Sequence, residues 1–140
     1  MSLKDGLKKM SKSELSDLSR INLTDEKDEI INKIKKAKTD PMPMPSNIEE
    51  LEKRFEAKNL IGIYASLSGQ SLEKTVKEFA EKNFSEFKEN LSQVLVDKII
   101  PISVEIKKLL NEKDYLDNIL LDGCKKANNI ASNKIKKIHE

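Results

Sequence analysis

Five consecutive residues near the amino end, Lys9-Met10-Ser11-Lys12-Ser13, carry the most chemical information in this chain. Two ammonium groups three residues apart on a flexible segment can close over the β- and γ-phosphates of ATP as mobile point charges. The hydroxyls of Ser11 and Ser13 can donate to phosphate oxygens beside them. Such charges matter most where negative charge grows on departing pyrophosphate, so they lower the barrier rather than only bind the nucleotide. Lys9 and Lys12 are therefore the candidate catalytic residues, and Lys9, Met10, Ser11, Lys12 and Ser13 the candidate nucleotide-binding set. The plain alternative is a Lys- and Ser-rich disordered stretch with no ligand.

Other reactive residues are few. Cys124 stands alone and His139 is next to the carboxyl terminus, so neither a disulfide nor a Cys/His metal site is expected. The scattered acids show no spacing that singles out a general acid and base. Lys33, Lys35, Lys36 and Lys38, then Lys107, Lys108, Lys125, Lys126, Lys134, Lys136 and Lys137, are candidates for an RNA-backbone surface, set against the ordinary reading of solvated helix faces. The two arginines, Arg20 and Arg54, are expected in surface ion pairs, Tyr64 in the core with its hydroxyl near the surface, and Met42, Met44 and Cys124 as apolar fillers.

The elements that would position the pentapeptide are helical. Charged residues make up 36% of the 140 and hydrophobic ones 37%, net charge is +2, and four Gly and four Pro are too few for a loop-dominated β chain. That balance excludes a strongly basic nucleic-acid coat protein. No apolar run approaches the ~18 to 20 residues that span a bilayer, and the early lysines lack the apolar stretch of a secretory signal, so a cytoplasmic protein without membrane contact is expected.

Residues 1–20 are predicted to be a mobile loop with at most a short helical turn, and residues 21–23 at most a brief extended piece. A helix is predicted from an N-cap at Thr24 or Asp25, with Ile30, Ile31, Ile34 and Ala37 on its inner face. Pro41, Pro43 and Pro45 then make a stiff connector. Ser46 with Glu49 has the pattern of a capping box, and Gly69 closes the apolar run Ala57, Leu60, Ile61, Tyr64 and Leu67. Periodicity leaves open whether residues 47–68 are one helix or two. A short helix follows Ser71, with Leu72, Val76, Phe79 and Ala80 inward. A long one carries Phe84, Phe87, Leu91, Leu95, Ile99, Ile102, Ile106 and Leu109, kinked rather than stopped by Pro101. The last, from about Asp114, turns Leu116, Leu120, Cys124, Ala127, Ile130 and Ile138 inward. The fold class is all-α, a bundle of about five helices behind a flexible loop.

MSLKDGLKKMSKS, SRINLTDEKDEIINKIKKAKTD, AKNLIGIYASLSG, FSEFKENL and LDNILLDGCKKANNIA together resemble the C-terminal part of the bacterial tryptophanyl-tRNA synthetase family, over essentially the whole chain. The pentapeptide is shared by many class I synthetases, and the downstream strings select the tryptophan enzyme. The resemblance implies that Lys9 and Lys12, Lys12 above all, embrace the phosphates of Mg²⁺-ATP during activation of L-tryptophan. It also implies transfer to tRNA(Trp), a homodimeric parent, and a division into a loop segment, 1–20, and a helical domain facing the anticodon, 21–140. The family's nucleotide-binding Rossmann half and tryptophan pocket have no counterpart here, so the chain is expected to be a fragment that cannot activate tryptophan alone. Two alternatives stand beside this: a fragment of another class I synthetase, tyrosyl being nearest, and a non-enzymatic helical interaction module.

Overall fold

The computed structural model describes residues 1–139 and, within them, all side chains but those of residues 133 and 136–139. Expectations for Lys136, Lys137, Ile138 and His139 lie outside those described side chains. The elements are a 3-10 turn at Asp17–Ser19 and helices α1 Lys27–Lys36, α2 Ile48–Glu52, α3 Phe55–Ser68, α4 Leu72–Phe79, α5 Phe84–Asn111 and α6 Lys113–His139. The all-α class holds. Among the described residues the one β-bridge pairs Ser2 with Asp5, and residues 21–23 are not a strand.

The chain forms two compact units. Met1–Ser103 contains α1 to α4 and most of α5, and the second unit starts at Val104 within α5 and contains α6. The hydrophobic core lies in the first unit. Its centre is an aromatic triad in which Phe79 meets Tyr64 and Phe87 edge-on at 5.0 and 4.9 Å between ring centroids, the geometry the ring quadrupole favours. Leu51, Leu60, Ile61, Leu91 and Leu95 pack around it. Tyr64 is buried as expected, and burial, with the Glu78 carboxylate nearby, holds its hydroxyl pKa above the ordinary tyrosine value.

The starts of α1 and α2 fall a residue or two from the expected positions, because the side chain that reaches the free N–H groups decides the cap. α1 starts at Glu26, whose N–H donates to Glu29 Oε2 at 2.7 Å, and not at Thr24 or Asp25. The box expected of Ser46 and Glu49 is shifted by one: Asn47 Oδ1 accepts from Glu50 N at 2.9 Å, and Glu50 Oε2 accepts from Ser46 N at 3.0 Å. Residues 47–68 are two helices, parted at Lys53 and Arg54. Gly69 ends α3 with φ 70°, the left-handed conformation glycine adopts without penalty. Ser71 caps α4 as expected, but Leu72 is exposed and Thr75 joins Val76 and Phe79 inside.

Three further stripes differ from expectation. In α1 the buried set is Ile30, Lys33, Ile34 and Ala37, the i, i+3, i+4, i+7 pattern, while Ile31 is exposed. In α5 the helix continues through Pro101, but the buried stripe ends at Ile99 and Ser103, with Ile102 exposed. α6 has no buried residue among the described ones. Leu120, Cys124, Ala127 and Ile130, expected inward, are all exposed, and Leu116 is half-buried. Periodicity marks a helix's apolar side, not whether that side is covered.

Candidate functional site

The loop containing the pentapeptide, expected to be a mobile stretch over residues 1–20, is held to the helical body at both ends. Leu3 is buried; its N–H donates to Ser19 O at 2.9 Å and its carbonyl accepts from Lys38 N at 2.8 Å. Asn59 Nδ2 donates to Ser2 O at 3.1 Å. Gly6 lies so close to α3 that a Cβ there would meet the Phe55 carbonyl at 2.7 Å, so only glycine fits. On the far side Ser19 is fully buried and its Oγ donates to Ser16 O at 3.0 Å.

Between these anchors Lys8 to Ser13 are exposed. Neither Lys9 nor Lys12 has an ion-pair partner among the described residues, so both ammonium groups are available to an anion. Ser11 Oγ and Ser13 Oγ share a hydrogen bond at 2.9 Å, and Ser13 N donates to Ser11 Oγ at 3.3 Å. The loop thus gathers the expected Lys9, Met10, Ser11, Lys12 and Ser13 in one exposed turn. Phosphate oxygens arriving there would take donors now satisfied only locally or by solvent.

Beneath the turn lies a charge network that periodicity did not disclose. Lys33, which the stripe of α1 carries inward, donates to Asp25 Oδ2 at 2.6 Å and to Asp17 Oδ2 at 2.5 Å. Burial alone would lower the Lys33 pKa; the bonds and charges of the two carboxylates outweigh it and hold the ammonium above the ordinary lysine value. The Lys33 bond, followed by that of Asn22, holds Asp17 below the ordinary aspartate value. Asn22 Nδ2 bridges Asp17 Oδ1 at 3.0 Å and Asp25 Oδ1 at 3.2 Å. Arg20 Nη2 meets Asp17 Oδ1 at 2.9 Å. A lysine at an inward position of an apolar stripe, with two aspartates shortly before the helix, is the signal that could have found this.

Lys33 is thereby removed from the candidate RNA surface. Lys38 pairs with Glu56, Lys108 with Glu105 and Lys126 with Asp122, whereas Lys35 and Lys36 are exposed. Arg54 is not a surface pair: its side chain is 9% exposed and grips Asp40 through two nitrogens. Met44 is buried as a filler, but Met42 is exposed. Among the described residues, no group of three or more His, Cys, Asp or Glu could hold a metal ion, and no helix is long and apolar enough to cross a membrane.

The family model for class I tRNA synthetases (W and Y) matches residues 1–99. The chain belongs to that family. Within this synthetase family it is similar to the tryptophan–tRNA ligase of Mesorhizobium japonicum, 48% identical over the whole 140 residues and 39% of that protein. It is likewise similar to those of Caulobacter vibrioides, 47% identical over 132 residues, and Rickettsia felis, 47% identical over 140 residues and 42% of that protein. The chain spans about 40% of the length of these curated relatives and matches their C-terminal part.

Proposed function

We propose that this chain supplies the phosphate-stabilising loop and the tRNA-facing helices of a tryptophan–tRNA ligase, which activates L-tryptophan with ATP and transfers it to tRNA(Trp). The observation that carries this reading is the exposed turn with two unpaired ammonium groups, tethered at both ends to a helical body, in a chain alike over its whole length to tryptophan–tRNA ligases. Lys9 and Lys12 meet the β- and γ-phosphates of Mg²⁺-ATP, and Ser11 and Ser13 exchange their mutual bond for phosphate oxygens. Lys12 neutralises charge as pyrophosphate leaves, so its contribution is larger in the transition state than in the bound nucleotide. Residues 1–20 form the loop segment and 21–140 the helical domain that approaches the anticodon. The complete enzyme is a cytoplasmic homodimer.

The test is tryptophan-dependent ATP–pyrophosphate exchange by the full-length protein. Lys12→Ala is expected to lower the rate by about 10² to 10³-fold and Lys9→Ala by somewhat less, with tryptophan affinity little changed. The 140-residue chain alone is expected to show no exchange. Activity untouched by both substitutions would favour a non-catalytic helical module instead.

A further inference from the structure

Among the described residues Arg20 is the only one outside the exposed turn whose side chain bonds the backbone of that turn. Its guanidinium is divided between two tasks. Nη1 donates to Glu14 O at 3.3 Å and, at a longer 3.5 Å, to Ser11 O. Nη2 pairs with Asp17 Oδ1 at 2.9 Å, and Nε donates to Asn22 Oδ1 at 3.2 Å. Asp17 and Asn22 are in turn tied to the buried Lys33 and Asp25. A continuous set of contacts therefore runs from two loop carbonyls to the inward face of α1, and none of it is needed simply to offer lysines to phosphate.

We propose that Arg20 is the positioning residue of the loop: its grip on the Ser11 and Glu14 carbonyls sets where the Lys9 and Lys12 ammonium groups stand, and letting go of those carbonyls is how the loop opens. The inference deepens the function proposed above and rests on it. The planar fork serves four acceptors from fixed directions, the Asp17 carboxylate, Asn22 Oδ1 and two carbonyls, one more than the three donors of an ammonium. The two ends of the fork also differ in strength. The bond to Asp17 is short and charge-assisted, while those to the carbonyls are long and to neutral acceptors, so the carbonyls separate first and Arg20 stays with Asp17. Being 19% exposed and tethered, the side chain remains in place to recapture the loop.

The full-length protein tests this by amide hydrogen exchange and by pyrophosphate exchange. In Arg20→Ala, the hydrogen-bonded amides of Ser13 and Glu14 are expected to exchange about tenfold faster while those of Ile30 and Ile34 keep their protection. The maximal rate of adenylate formation is expected to fall roughly 10 to 100-fold, with the KM for tryptophan within about twofold. Arg20→Lys, which keeps the pair with Asp17, is expected to recover part of the rate. Unchanged exchange at Ser13 and Glu14 in Arg20→Ala overturns the proposal whatever the activity. Should Arg20→Ala lose protection in α1 as well, Arg20→Gln is measured in its place, and loss in both would show Arg20 to be merely structural and overturn it too. If instead Lys12→Ala leaves activity intact while Arg20→Ala still loosens the turn, the catalytic reading fails and the grip stands.

Discussion

Arg54 and Arg20 each tie one loop to the helical body, and the two grips differ. Arg54 fastens the connector of residues 39–47: its Nε and Nη2 hold Asp40 at 3.0 and 2.5 Å, Nη1 holds Glu50 at 3.1 Å and Pro43 O at 2.6 Å, and Nη2 reaches Met42 O at 3.2 Å. Three prolines limit the same segment covalently. Met44 enters the core, accepting from Glu81 N at 3.2 Å and donating to Lys82 O at 2.7 Å. The turn at residues 9–14 has no proline and no buried side chain, and Arg20 meets it only at 3.3 and 3.5 Å. One loop is over-determined and the other held just enough to have a preferred position. Under the function proposed above, in which the turn parts from its own contacts to meet a nucleotide, the second kind of grip is the one required.

Breaking the tighter grip should have the largest effect on stability. Arg54→Ala leaves the half-buried Asp40 and the Pro43 and Met42 carbonyls without their shared partner and is expected to destabilise the chain by about 3 to 5 kcal/mol in urea unfolding. A loss under about 1 kcal/mol, the range of exposed pairs, would erase the contrast with Arg20.

The connector also separates two methionines two residues apart. Met44→Ala is expected to cost about 2 to 5 kcal/mol and Met42→Ala within about 0.5 kcal/mol, by the same measurement. Equal costs would mean that Met44 does not anchor the connector.

Acid sharpens the comparison with the smallest effect. Burial raises the Asp40 pKa, but the Arg54 bond and charge, with the Met42 N–H, outweigh it and hold the group below its ordinary 3.8. The unfolded chain therefore takes up this proton first as pH falls. The stabilisation is present above that value and is lost progressively below it. Asp40→Asn should accordingly lose less stability than the parent between about pH 5 and pH 3, the window in which unfolded aspartates titrate. Parallel stability curves would show that Asp40 is not the titrating partner.

Much of this was legible in residue order. α1, α3, α4 and α5 lie where their apolar periods placed helices, Ser71 and Gly69 stand where caps were expected, and the pentapeptide is an exposed turn. Lys33 was not legible, because its burial depends on Asp25 and Asp17, eight and sixteen residues away, turning back onto α1. Arg20 does form the expected ion pair, with Asp17, but its added bonds to the Ser11 and Glu14 carbonyls leave no mark in the side-chain pattern.

By itself the sequence determined the helices, the stiffness of the proline connector and the pairing of two lysines with two serines in one turn, since each is a property of neighbours along the chain. Tertiary structure alone decided which stripes are covered, which lysine is spent on internal charge and which are left to an anion, and how tightly each loop is held. Those outcomes depend on groups distant in sequence meeting at about 3 Å, where desolvation and hydrogen bonding are settled.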